Sequence, residues 1–176
     1  MFGRTPKLPA DLTPKLERDE RVITWARAGG TAIIVTNRGL WLPDVDTRVG
    51  WYEIHKAAWA DGVLTVTGAV FTSDEAHAGY TMATDAAPTE IRIPEPGAVP
   101  RRVRERVNAS VAFTSLYPVP GGGAARVVAR RISGQDGLTW SVRLEGPATQ
   151  NATHPDVQAA VDQLVADAKA SIAVVD

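Results

Sequence analysis

Three histidines are the side chains best suited to acid–base or metal chemistry near neutral pH, and their spacing decides what they can do. His55, His77 and His154 are scattered, and no two have the H-x-x-x-H spacing that sets a pair of imidazoles on one helix face for zinc. Asp74, Glu75 and His77 do fall together. They offer oxygen and nitrogen donors to a hard or borderline metal, which is the basis for reading a metal-dependent hydrolase. The plainer reading of the run is a solvated polar loop. Acyl-transfer chemistry needs a nucleophile beside its base. The chain has no cysteine and no G-x-S-x-G, and Ser133 and Ser141 fall within a hairpin. Asp44 and Asp46 could share one face of an extended segment as an acid–base pair, yet they follow Pro43 in what reads as a turn, where Asp is ordinary. No catalytic residue, metal ligand or cofactor is therefore assigned.

Arginine is the other side chain with binding chemistry. Fifteen Arg stand against four Lys, and the pattern is uneven. Residues 96–150 carry eight Arg and three acids, whereas residues 151–176 carry one Lys and four Asp. Arg101, Arg102, Arg104 and Arg106, with Arg126, Arg130, Arg131 and Arg143, form the candidate anion-binding set, suited to phosphates or an anionic lipid surface. The alternative is a solvated face that neutralises the acidic C-terminal segment. Gly121-Gly122-Gly123 precedes a strand and lacks the Lys and Ser/Thr of a phosphate-binding loop, so it reads as a linker.

The elements that must position these residues are mostly strands. The chain has 176 residues, 44% hydrophobic and 22% charged, with a formal net charge of −1. That composition suits a folded domain and gives no global reason to expect nucleic acid. No apolar run approaches the roughly 20 residues that span a bilayer, and no secretory signal opens the chain, so the expectation is a cytoplasmic protein. The Arg-, Ala- and Val-rich composition resembles that of high-GC bacterial proteins. The Pro-rich residues 1–19 read as an arm with a short helical turn. Strands are predicted over 22–27, 31–36, 40–42, 49–59, 63–67, 80–83 and 89–93, with turns at Gly29-Gly30, Asn37-Arg38-Gly39 and Asp61-Gly62. Trp51 and Ile54 are three apart, which predicts a bulge or one helical turn. The i, i+4 row Val99, Val103, Val107 and Val111 predicts a helix over 99–113. A hairpin of 126–132 with 138–144 follows, and then a helix capped by Thr153, whose apolar stripe includes Val157, Val161, Leu164, Ala168 and Ile172. All five Trp fall in predicted strands, as core residues do.

The order Thr36-Asn37-Arg38-Gly39-Leu40, then Trp51-Tyr52-Glu53-Ile54, then Gly62-Val63-Leu64-Thr65-Val66 resembles bacterial pleckstrin-homology-like (PH-like) domains. Those domains often show T-x-R-x-L, W-x-x-I and G-x-L-x-V in that order. The resemblance covers residues 20–115. It implies an α+β fold: a seven-stranded, two-sheet β barrel or sandwich capped by the 99–113 helix. The β-hairpin and C-terminal helix of 124–176 lie outside the pattern. Eukaryotic relatives of the fold bind phosphoinositides through basic residues in loops between early strands. Here those loops hold Arg27, Arg38 and Arg48, but also Asp44 and Asp46. The expected function is a non-enzymatic binding module that contacts another protein or self-associates. Anionic lipid or phosphate binding is the alternative, and a metal-dependent hydrolase the second alternative.

Overall fold

The computed structural model describes residues 6–72 and 79–173. The architecture is α+β, and the described chain divides into two compact units. The first holds the residues up to Ala69 with Asp85–Ser110 and Ile132–Gln135. The second holds Val70–Thr84, Val111–Arg131 and the residues from Asp136 onward.

In the first unit, β1 (Val22–Ala28), β2 (Thr31–Thr36), β3 (Gly39–Trp41) and β4 (Arg48–Gly50) form an antiparallel sheet in chain order. The 3-10 turn Trp51–Glu53 leads into β5 (Ile54–Ala60). This is the helical turn that the Trp51/Ile54 spacing predicts. It is closed by Glu53, whose carboxylate accepts the Gly50 N–H at 2.7 Å. β5 pairs with β6 (Val63–Thr72) across Asp61-Gly62, where both residues take positive φ (50° and 77°). Such a turn matches the twist of the strands it joins. β6 pairs antiparallel on its other side with β8 (Thr89–Arg92), numbered after β7 (Thr81–Asp85).

Helix α1 (Val99–Ser110) follows. Its Val99, Val103 and Val107 are buried with Ile33, Leu40, Trp51, Ile54 and Leu64 in one core. Pro6 to Leu16 is more than an arm. Leu8, Leu12 and Leu16 pack with Val22 and Trp25 on Ala32, Ile34 and Trp41, and the Trp25 indole donates to the Pro6 carbonyl at 2.7 Å.

The second unit corrects the boundary predicted at residue 113. The helix stops at Ser110, and Val111–Pro118 is a strand, β9. The sequence VAFTSLYP is β-branched, aromatic and free of charge, so it suits a pleated surface better than a solvated helix end. The triple glycine is no loose linker either. Gly121, Gly122 and Gly123 all take positive φ (84°, 95°, 79°), and the Val119 N–H donates to the Gly123 carbonyl at 3.3 Å, turning β9 into β10 (Ala124–Arg130). β11 (Thr139–Glu145) pairs antiparallel with β10 as the predicted hairpin, and parallel with β7 on its other side. The hairpin therefore sits inside the order β7-β11-β10-β9, with β9 at the edge.

Helix α2 (Pro155–Ala173) buries Val157, Val161, Val165 and Ala168 against Ala125, Val127, Ala129, Trp140 and Val142. Its start is capped by His154 rather than Thr153, because the His154 Nδ1 accepts the Asp156 N–H at 3.2 Å. None of the five Trp is exposed. No helix among the described residues is long and apolar enough to cross a membrane.

Candidate functional site

The polar centre of the first unit is Glu20, whose side chain is fully buried. Four donors converge on its carboxylate. They are the Thr36 hydroxyl at 2.7 Å, the Trp41 indole N–H at 3.0 Å, the Arg48 guanidinium at 2.6 Å and the Glu17 backbone N–H at 3.1 Å. Burial pushes the Glu20 carboxyl up, but the hydrogen bonds of Thr36, Trp41 and Glu17 together with the Arg48 charge outweigh it and hold it below its ordinary range. Burial likewise opposes the Arg48 charge, and its hydrogen bonds and charge contacts with Glu17 and Glu20 prevail, raising its pKa. Arg48 also reaches Glu17 at 2.8 Å, and Arg38 pairs with the same Glu17 carboxylate.

Local geometry explains why these residues meet. The Thr36 hydroxyl accepts both the Arg38 and the Gly39 N–H at 3.1 Å, so it closes its own turn while donating to Glu20. Asn37 accepts the Arg21 N–H at 2.6 Å and donates to the Asp19 carbonyl at 3.0 Å, which clamps the turn to the chain entering β1. Gly39 has no room for a side chain, because a Cβ there would run into the Val49 carbonyl oxygen of β4.

Trp41 carries this network to the surface. Its ring lines an open pocket of about 430 Å³, together with Leu12 and Ile34. Asp11, Asp44 and Asp46 line the same pocket, and no Lys, Arg or His does. Val45, on the loop between β3 and β4, is 44% exposed beside it, and Asp44 takes positive φ (59°), which aims the loop. The pocket therefore mixes aspartates with apolar residues and lacks a basic one, complementary to a cation carried on an apolar body.

The predicted Arg set does not come together as one cluster within either unit. Arg101, Arg102, Arg104 and Arg106 lie on α1 in the first unit, and Arg126, Arg130, Arg131 and Arg143 belong to the second. Glu105 pairs with Arg101 at 2.6 Å and Arg102 at 2.9 Å. Arg126 and Arg143 stand opposite each other on β10 and β11, and both reach Glu145, at 2.7 and 3.2 Å. Arg130 is 9% exposed, and burial and then the nearby Arg143 lower its pKa, while Arg131 is exposed.

His55 Nδ1, on a β5 side chain that is 11% exposed, lies 2.7 Å from Asp85 Oδ1 at the end of β7, which fixes the imidazole. Asp74, Glu75 and His77 lie outside the described residues. Among the described residues no group of three His, Asp or Glu is placed to hold a metal. No protein-family model, curated protein or solved structure matches the chain.

Glu20 and the pocket were missed by sequence reasoning. Glu20 sits in a charged run at the junction of the predicted arm, 1–19, and the PH-like segment, and its burial depends on partners 16 to 28 residues away. The available signal was the Thr36-Asn37-Arg38-Gly39 turn, whose hydroxyl and amide needed partners. Asp44 and Asp46 were singled out, and Asp11 was not.

Proposed function

We propose that the chain is a non-enzymatic binding module whose first unit is PH-like and whose pocket receives a basic, partly apolar segment of a protein partner. The PH-like reading is supported by the antiparallel sheet β1-β2-β3-β4 and the antiparallel pairs β5-β6 and β6-β8, with β7 between β6 and β8 in the chain, followed by a helix whose valines join the same core. The single observation that carries the choice of ligand is the pocket lining, which combines three aspartates with apolar residues and contains no basic residue. Arg38 and Arg48, which an anion-binding version of these loops would present, are engaged by Glu17 and Glu20. A cytoplasmic bacterial protein is the setting we propose, on the strength of a cysteine-free, Arg-rich composition.

The test is an NMR titration of the ¹⁵N-labelled full chain with a short peptide of alternating Lys and Leu, and in parallel with an inositol phosphate. The amides of Leu12, Trp41 and Asp44 are expected to shift with the peptide. Shifts confined to α1 or β10–β11 with the inositol phosphate would favour the anion-binding alternative. No shift at roughly 1 mM peptide, a very weak limit for recognition, would overturn the proposal.

A further inference from the structure

The free edges of the sheets differ in how they are protected. A strand edge presents unpaired N–H and C=O groups, and folds blunt it with charge, proline, shortness or cover. β4 and β8 are short, at 3 and 4 residues. β8 carries Glu90 and Arg92, and β5 carries Lys56 and His55. β1 carries Arg27 and packs Val22 and Trp25 against the N-terminal segment. β9 has none of these until its last residue. It is 8 residues long, contains no charge, meets Pro only at Pro118, and among the described residues pairs with β10 alone.

The ladder also fixes which groups point outward. Val119 donates to Gly123, so the hydrogen-bonded pairs of β9 with β10 are those at Tyr117, Ser115 and Phe113. The backbone groups of Thr114 and Leu116 therefore face away from β10. Both side chains are exposed, Leu116 at 48%.

We infer that β9 is a self-association edge, and that its occupant is the β9 of a second copy of this chain, antiparallel about a two-fold axis near Ser115. In that register Thr114 of each copy faces Leu116 of the other, and both exchange N–H···O=C bonds. A two-fold interface sets each strand against a copy of itself, with Ser115 meeting its own counterpart near the axis, so a charge on the strand would bring its like onto the same short edge. β9 carries none. The nearest charge on the neighbouring strand, Arg126 opposite Leu116, is already paired with Glu145 at 2.7 Å.

Sedimentation of the full chain over a concentration series tests this. The wild type is expected to pass from monomer to dimer. Leu116→Pro removes one outward N–H and leaves the β9–β10 ladder intact, and Thr114→Lys adds a charge at an exposed position. Each is expected to weaken the dimer by at least about tenfold, the equivalent of one or two hydrogen bonds. Amide exchange gives a second readout: Thr114 and Leu116 should become protected as concentration rises, with Ser115 protected throughout. A wild type that stays monomeric at roughly 100 μM, or a dimer that survives both substitutions with Thr114 and Leu116 still exchanging fast, would overturn the inference. A peptide strand that protects those two amides in a chain that stays monomeric would also overturn it, showing a different occupant.

Discussion

Arg48 Nη1 lies 2.6 Å from Glu20 Oε2, joining β4 to a carboxylate that precedes β1. The two residues are 28 apart in the chain, and the contact draws a cation of the early loops inward. It leaves Asp44 and Asp46 as the charged groups that the β3–β4 loop adds to the pocket.

Removing Glu20 should therefore cost far more than removing a surface acid. Glu20→Ala leaves Arg48 at a partly buried site without its closest partner, and frees Thr36 and the Trp41 indole. We expect a loss of about 3 kcal/mol, the lower end for breaking a buried pair, because Arg48 retains Glu17. Urea unfolding followed by tryptophan fluorescence measures it.

The same carboxylate shapes the acid limb of stability. Its folded pKa is below the ordinary 4.5. Its contribution is then fully present above 4.5 and is lost as pH falls through the folded value, because the unfolded chain takes up the proton first. Glu20→Gln should be less stable at neutral pH and show a shallower decline on acidification. The decline should not vanish, since Glu145, held low first by its hydrogen bond from Arg126, contributes with the same sign. Unfolding free energies at a series of pH values compare the two proteins.

In the second unit the Tyr80 hydroxyl donates to Asp162 at 2.6 Å, and burial and then Asp162 push the phenol well above its ordinary 10.0. This contribution is present below pH 10.0 and is lost as pH rises through the folded value. Tyr80→Phe should cost about 1 kcal/mol at neutral pH, a typical single hydrogen bond, and should flatten the alkaline limb. Thermal melts on either side of that pH provide the check.

Much of the first unit was legible from local pattern. β2, β6 and the Asp61-Gly62 turn follow from β-branched runs and turn chemistry, and the Val99/Val103/Val107 row announces the buried face of α1. The row continues to Val111, and there periodicity misled. A valine at the right spacing serves a helix or a strand, and only the pairing of β9 with β10 decides between them. The glycine run misled for a similar reason, since three positive-φ residues look like slack until a strand lies on each side. The pocket was the least legible feature. Asp11 joins Asp44 and Asp46 only because leucines of the N-terminal segment pack on the Trp41 cluster, a long-range contact that no local motif encodes.

Gly39 should tolerate no side chain. Gly39→Ala puts a methyl group against the Val49 carbonyl and against Arg48, so β4 must move away from β3 and loosen the Arg48–Glu20 contact. Destabilisation of about 2 kcal/mol, in the range for overpacking, is expected. A melt of the variant beside the wild type measures it.

The most direct test of the central claim is calorimetric titration of the Lys/Leu peptide into the wild type and into a variant carrying Asp11→Asn, Asp44→Asn and Asp46→Asn. Asn suits the positive φ of residue 44, so the loop keeps its shape. The account predicts affinity about fivefold weaker in the variant, three exposed charge contacts at about 0.3 kcal/mol each, and a wild-type affinity that falls with added salt. Equal affinity in the two proteins, or binding indifferent to salt, would contradict it.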